Sequence, residues 1–317
     1  FRMVCQCTLN LFGYSALAFV TYRILMVFYR ILFPYFLGTP VDLHKKAGAK
    51  WAVVTGATDG IGKAYAKQLA KKGFNVLLVS RTQSKLDDTK KEILEEAKNI
   101  EVRTFAFDFS KTQLEDYQPL LDELKKTEVG VLVNNVGQSF EYPEIMHRME
   151  GAPKTLAEMT SINTLPVVLL SSTVVEQMTE RRAGIIVNIA SFAGYYELAE
   201  WSVYSASKRF VLHLSSILDQ EYGPRGITVQ AIAPMLVATK MSKVRRESFF
   251  APFADRFVKS ALRTIGLIGD TSGYFSHQIQ VEVVNLLPEF LVRKIIGVQS
   301  SGMRAGALKK KAKEAKE

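Results

Sequence analysis

The sequence predicts an α/β fold, a doubly wound parallel sheet preceded by an apolar segment. Three observations carry this. Short continuous apolar runs recur at Trp51 to Val54, Asn75 to Val79, Glu101 to Phe107, Val129 to Val133, Ile185 to Ile189 and Ile227 to Ile232, with helical patterns between most of them. Strands apolar on both faces and alternating with helices belong to a parallel sheet covered on both sides. A glycine-rich turn joins the first run to the first helical pattern. Polar residues then follow the runs closely, at Ser80, Asp108, Asn134 and Ser191, with Pro234 after the last, on the edge where such sheets hold ligands.

The bulk properties agree. A chain of 317 residues with 48% hydrophobic content buries a full core, in one large domain or two smaller ones. The net charge of +10 and pI of about 9.4 suit nucleic acid, an anionic membrane surface or anionic substrates. No zinc-finger spacing or continuous basic recognition helix is present, so nucleic acid is not expected. The two cysteines, Cys5 and Cys7, precede the body and cannot staple its core, which fits a reducing, cytosol-facing setting. They are too few and too close for a metal site, and no metal is expected.

From about Leu9 to Leu37 the chain is almost wholly apolar, interrupted by Arg23 and Arg30. A bilayer core takes about 20 apolar residues, so the run is long enough. The arginines would have to snorkel, and Tyr22, Tyr29 and Tyr35 suit an interface belt. A secretory signal would be shorter, with small residues at its end. An uncleaved anchor is favoured over an interfacial hairpin or a core helix. His44, Lys45, Lys46 and Lys50 follow, which by the positive-inside tendency places the body on the cytosolic side.

The first strand feeds into Thr55-Gly56-Ala57-Thr58-Asp59-Gly60-Ile61-Gly62, and a helix then runs to about Gly73. Strand, glycine turn and helix N-terminus together bind a phosphate: glycines admit the ligand to the backbone, and unpaired N–H groups receive it. The spacing is G-x-x-x-G-x-G. The second strand ends in Ser80-Arg81-Thr82, where an NAD site usually carries an acid for the ribose 2′-hydroxyl. Arg81, with Lys85 nearby, suits the 2′-phosphate of NADP instead. Asp108, beyond the third strand, is placed either to reach an adenine edge or to cap the next helix. The fourth strand ends in Asn134-Asn135-Val136-Gly137.

A helix is expected from Thr155 to Met178, with Pro166 kinking it. Asn163 inside it either binds freed carbonyls or a water, or serves the site. Ser191 follows the fifth strand. The segment Phe192 to Val203, with Tyr195, Tyr196 and Trp201, is placed to wall a substrate pocket. Then comes Tyr204-Ser205-Ala206-Ser207-Lys208, opening a helix to about Tyr222. Residues four apart share a helix face. A phenol of pKa about 10 is a poor acid or base at neutral pH. A fixed ammonium beside it would lower that pKa and let Tyr204 exchange a proton.

Lys240 to Gly269, with Phe249, Phe250, Phe253 and Phe257, lies where this fold carries a substrate lid. Lys243, Arg245 and Arg246 are placed either to meet phosphates of coenzyme A or to be solvated. Val281 to Ile296 is apolar enough to dock on a membrane as an amphipathic helix, split near Pro288 and Glu289, or to serve a core or a homodimer.

Taken in order, Gly56, Gly60, Gly62, Asp108, Asn134 to Gly137, Asn163, Ser191, Tyr204, Lys208 and Pro234 to Thr239 resemble the short-chain dehydrogenase/reductase family, over about Lys50 to Thr239. The resemblance implies a Rossmann-type sheet and an oxidoreductase. It assigns catalysis to Asn163, Ser191, Tyr204 and Lys208. Cofactor contacts fall to Gly56, Thr58, Asp59, Gly60, Ile61, Gly62, Arg81, Lys85, Asp108, Asn135, Tyr204, Lys208, Val237 and Thr239. In it, Ser191 donates to the carbonyl, Lys208 bonds the nicotinamide ribose, Asn163 holds a relay water, and Val237 and Thr239 hold the carboxamide. Val136 stands where alanine is usual, and Met235 where glycine commonly follows the proline.

The apolar N-terminus, Ser80-Arg81-Thr82 and Gly273-Tyr274-x-x-His277-Gln278-Ile279-Gln280 narrow the resemblance. It points to the membrane-bound very-long-chain 3-oxoacyl-CoA reductases and their 17β-hydroxysteroid dehydrogenase relatives, nematode members especially. This implies NADPH, a 3-oxoacyl-CoA substrate, the endoplasmic reticulum membrane and other elongation enzymes as partners. Steroid or retinoid ketone reduction is the alternative, and a non-catalytic cofactor-binding scaffold the alternative of another class. Some relatives end in a di-lysine signal. Here Glu314-Ala315-Lys316-Glu317 stand in that place, and Lys309, Lys310, Lys311 and Lys313 suit anionic headgroups or a solvated tail.

Overall fold

The computed structural model describes residues 6–314; Cys5 and the stretch 315–317 lie outside the described residues. The chain opens with α1 (Gln6–Leu32), a π-helical turn (Phe33–Leu37) and α2 (Leu43–Ala47). The sheet units follow as β1 (Trp51–Thr55), α3 (Gly60–Lys71), β2 (Asn75–Ser80), α4 (Gln83–Glu96), β3 (Val102–Ala106), α5 (Leu114–Lys126) and β4 (Val129–Asn134). Next come α6 (Ala152–Glu180), β5 (Gly184–Ile189), α7 (Ser202–Tyr222), β6 (Ile227–Ile232), α8 (Ala254–Arg263) and β7 (Asp270–Thr271). The chain closes with α9 (Phe275–Asn285) and α10 (Glu289–Glu314).

The strands make one sheet in the order β3-β2-β1-β4-β5-β6-β7, every pair parallel. β1, β4 and β5 are buried on both faces, which explains their unbroken apolar sequence. The six apolar runs all become strands. The seventh strand has only two residues and carries no periodic signal that sequence reading could use. The order reverses between β1 and β4, so a crevice opens beyond the carboxyl ends of those strands.

One core layer joins β1, β2 and α3 with α8, through Phe257, Val258, Ala261 and Leu262. The other packs α5 and α6 against the opposite face. The stretch expected to be a lid therefore divides. Phe249, Phe250 and Phe253 are exposed in a loop, whereas Phe257 is fully buried on a core helix. Periodicity is the physical reason: buried residues of α8 at positions 257, 258, 261 and 262 form one helical face.

Among the described residues, one helix is long and apolar enough to cross a membrane, Thr8–Leu37, with none of its most apolar window buried inside the protein. A core-helix role is thereby set aside. At its end Tyr35 is not an interface residue: it is buried, and its hydroxyl bonds Thr271 Oγ1 at 2.7 Å. Arg30 reaches the buried carboxylate of Glu282 on α9 at 3.9 Å. α9 and α10 divide at Pro288, as the sequence suggests, and the basic segment after Lys309 continues the helix to Glu314.

Candidate active site

The glycine turn is closed by contacts from two strands. Gly56 and Gly60 sit at φ +63° and +51°, where a side chain is strained. A Cβ on Gly62 would stand 2.3 Å from the Gly56 carbonyl oxygen and 2.4 Å from Asn135 Nδ2. Only glycine keeps that cradle open. Thr55 Oγ1 accepts from the backbone N–H groups of Asn135 at 2.9 Å and Val136 at 3.0 Å, locking the turn to the end of β4. Asn135 Nδ2 donates to the Thr55 carbonyl at 2.9 Å. Asn135 thus braces the turn through its amide nitrogen.

Asp59 caps α3, accepting from Gly60 N at 2.8 Å, and pairs with Lys240 at 3.2 Å. Thr58 Oγ1 lies 3.0 Å from Ser80 Oγ, tying the turn to the end of β2. Arg81 and Lys85 stand exposed beyond that end. Asp108 accepts from Ser110 N at 3.0 Å and so shapes its own turn. Ile61 is half-buried at the start of α3, where the helix dipole and free N–H groups face outward. A pyrophosphate fits this cradle, since a glycine-lined approach and an exposed helix N-terminus coincide there.

Past β6, Ser242 pins the loop: its hydroxyl donates to the Val237 carbonyl at 2.6 Å and accepts from Thr239 N at 3.2 Å. Thr239 Cγ2 lies 3.2 Å from where a Cβ on Gly60 would stand, so the loop lies against the glycine turn. His277 on α9 explains the motif around it. Its Nδ1 accepts from Met235 N at 3.4 Å and its Nε2 lies 3.2 Å from the Phe250 carbonyl, joining both ends of the loop. Burial pushes the imidazole down to about 4, so it is neutral.

The four residues expected to carry chemistry come from three places: Ser191 just past β5, Tyr204 and Lys208 in the first turns of α7, and Asn163 within α6. Ser191 accepts from Ala193 N at 3.2 Å, which fixes its hydroxyl over the end of the sheet. Tyr204 is half-buried, and burial raises its phenol, with a hydrogen bond to Ser191 working the other way. Lys208 is buried; its Nζ lies 6.0 Å from the Tyr204 ring centre and donates to the Ile189 carbonyl at 3.0 Å. Burial lowers its ammonium to about 8. The expectation that Lys208 brings the phenol down is therefore corrected. Desolvation dominates, and Tyr204 holds its proton at neutral pH.

Asn163 does not bond its own helix around Pro166. Its Oδ1 accepts from Gln138 N at 2.8 Å, and its Nδ2 donates to Gln138 O and to Ser207 Oγ, each at 2.9 Å. It clamps the chain after β4 to α7. Gly137 lies in that clamp: a Cβ there would stand 3.2 Å from Asn163 Oδ1 and 3.3 Å from Lys208 Nζ.

The substrate side is walled by residues far apart in sequence. Trp201 lies 6.2 Å from Tyr204 and 6.0 Å from Phe140, ring to ring. Trp201 Nε1 donates to the buried Ser300 of α10 at 3.1 Å. Arg304 holds the buried Glu144 at 2.8 Å and keeps that carboxyl below its usual range. Arg293 pairs with Glu197 at 2.8 Å and Lys311 with Glu141 at 3.4 Å. The inward positions of α10 recur at helical spacing, so it lies as a roof over the segments at 140–144 and 197–201. Sequence reading missed this role; the recurrence of Val292, Ile296, Ser300 and Arg304 every four residues was the available signal.

Residues 50–248 match the short chain dehydrogenase family. The chain belongs to it. The very-long-chain 3-oxooacyl-coA reductase let-767 of Caenorhabditis elegans is 58% identical over 314 residues, 99% of each chain. A putative steroid dehydrogenase 2 of the same organism is 50% identical over 298 residues, covering 94% of this chain and 95% of that one. Among solved structures, a short-chain dehydrogenase from Sphingobium yanoikuyae in complex with NADPH superposes with a TM-score of 0.59 at 27% identity, over 67% of this chain and 82% of that one. The glycine cradle and the Ser191–Tyr204–Lys208 group sit inside the matched family region; α1, α9 and α10 lie outside it.

Proposed function

We propose that this chain reduces the ketone of a long-chain 3-oxoacyl-CoA to the 3-hydroxyacyl-CoA, using NADPH. The observation that carries the reading is Ser191 at the end of β5 together with Tyr204 and the buried Lys208 on α7, beside the glycine cradle, in a chain 58% identical over nearly its whole length to a very-long-chain 3-oxooacyl-coA reductase. Bound NADPH supplies the hydride. Gly56, Gly60 and Gly62 leave room for the pyrophosphate, the start of α3 receives its charge, and Arg81 with Lys85 meets the 2′-phosphate. Val237 and Thr239, fixed by Ser242, face the carboxamide.

Tyr204 is the acid. It is protonated at neutral pH and gives its proton to the oxygen that gains charge as the carbonyl is reduced. Ser191 donates a hydrogen bond to that oxygen before and during reaction. Lys208 orients the ribose and keeps a positive charge near the phenol as it becomes phenolate. Asn163 is a positioning residue, holding Gly137 and Gln138 against α7.

The body would lie on the cytosolic face of the endoplasmic reticulum membrane, held by α1, beside other enzymes of fatty-acid elongation. A second reading, reduction of an apolar ketone such as a steroid, is supported by the 50% identical putative steroid dehydrogenase. NADPH oxidation by purified, detergent-solubilised protein, with a long-chain 3-oxoacyl-CoA and a 17-ketosteroid offered side by side, separates the two. Faster turnover of the thioester is expected; turnover of the steroid alone would overturn the choice of substrate.

A further inference from the structure

A groove of about 1040 Å³, within reach of the usual size of a ligand site, adjoins the cofactor cradle and shares Asp59, Gly60 and Thr239 with it. It begins at Gly60 and Thr239 and leads away from Tyr204, Ser191 and Lys208, none of which lines it. Arg81, Lys85 and Asp108, at the end assigned to the cofactor's adenosine, do not line it either. Its basic side chains come from three separate parts of the chain: Lys63, Lys67 and Lys71 from α3, Lys240, Lys243 and Arg245 from the loop after β6, and Lys310 from α10.

The charges are unequal in kind. On the α3 side Lys63 is neutralised by Glu92 at 2.7 Å, and Lys67 and Lys71 by Glu96, both acids lining the groove as well. Lys240 meets Asp59, and Lys310 only Glu314 at 3.5 Å on its own helix, both exposed pairs of small worth. Lys243 reaches Glu141 at only 3.9 Å, and among the described residues Arg245 has no ion-pair partner. Phe253 adds an exposed aromatic face to the lining. Flexible cations grouped round an aromatic ring suit a purine carrying several phosphates.

The groove also adjoins the substrate cleft. Lys243 Nζ donates to the Glu141 carbonyl at 3.2 Å, and the preceding residue, Phe140, packs on Trp201. One short segment is therefore the rim of the groove and the wall of the cleft. Lys310 is delivered there because Arg304, six residues earlier on the helix, fastens α10 to Glu144.

We infer that this groove is the seat of the nucleotide handle of the substrate, the 3′-phosphorylated ADP of coenzyme A, with Arg245, Lys243 and Lys310 on its phosphates and Phe253 against adenine. The inference rests on the acyl-CoA reading above and adds where that substrate is held. The loop and α10, both outside the sheet, would then select thioesters carrying a nucleotide over bare ketones. Arg246, expected from sequence to join Lys243 and Arg245, does not line the groove.

The test compares two substrates with one acyl chain, the 3-oxoacyl-CoA and the 3-oxoacyl-pantetheine thioester, which lacks the nucleotide. The full chain in detergent is assayed as wild type, as Arg245→Glu with Lys310→Glu, and as Arg246→Glu. The double variant should raise KM for the CoA ester about tenfold, from lost charge pairing. Its KM for the pantetheine ester and its Kd for NADPH should stay unchanged, as should every constant of Arg246→Glu. Equal KM shifts for both esters, no shift for either, or a parallel loss of NADPH affinity would each overturn the groove assignment. If wild type reduces neither thioester and does reduce a 17-ketosteroid, the substrate reading itself has failed, and the assignment with it.

Discussion

The cradle around Gly56 to Gly62 and the roof formed by α10 bound the same crevice, yet they are built in opposite ways. The cradle is built mainly from a strand, a turn and a helix start within twelve residues, closed by one threonine hydroxyl and by a single asparagine amide from the end of β4. Its fit leaves no space, because a single methyl on Gly62 would meet backbone at 2.3 Å. The roof is remote: Ser300 and Arg304 reach back across about a hundred residues or more to Trp201 and Glu144. Along α10, Gly297, Gly302 and Gly306 have open space around them. A site of this kind holds its cofactor by backbone shape and its substrate by exchangeable side chains, which lets one cofactor half serve many substrates.

The seam between the halves gives the largest effect. Tyr204→Phe removes the acid without touching the cradle, so kcat should fall by about 10²–10⁴ while NADPH affinity, read by fluorescence titration, is kept. If affinity fell with kcat, the two halves would not be separable there. Gly62→Ala tests the cradle alone: overpacking of about 1–3 kcal/mol should weaken NADPH binding about ten- to hundredfold. Gly297→Ala, on the open face of α10, should leave that affinity unchanged.

A pH profile reads the seam from the other side. Burial favours the neutral amine of Lys208, so its charge is present below about 8 and lost above. With NADPH as the varied substrate, kcat/KM should be level below about pH 8 and fall about tenfold per pH unit above it. A profile level to pH 10 would contradict the role given to Lys208. The smallest effect belongs to the roof. Arg304→Gln should raise KM for a long-chain thioester about fivefold and leave NADPH affinity alone. Exchanging the charges, Glu144→Arg with Arg304→Glu, should restore part of it.

The same contrast sets what could be read in the sequence. The six longer strands were legible because most of them are continuous apolar runs, and the glycine turn because a strand and a helix flank it directly. Ser191 was legible as a group past a strand end and Tyr204 with Lys208 as one helix face, whereas the partners of Asn163, in Gln138 and Ser207, were not. The electrostatics were not legible: whether Lys208 lowers the Tyr204 pKa depends on burial and on the Ile189 carbonyl, which no spacing encodes. Asn135 and Asp108 carry suitable groups, but local backbone partners use them. Tyr35 reads as an interface aromatic, and only the fold brings Thr271 to its hydroxyl. The roof stayed hidden because its contacts cross about a hundred residues or more, which no local spacing encodes.

The measurement closest to the central claim follows the transferred atom. Full-length protein is given NADPH carrying deuterium at the transferable position of its nicotinamide, together with a long-chain 3-oxoacyl-CoA, and the product is analysed by mass spectrometry. Deuterium at the new alcohol carbon in wild type, and almost none formed by Tyr204→Phe over the same time, is the expected result. An unlabelled alcohol from wild type, or equal labelled product from both, would contradict the account.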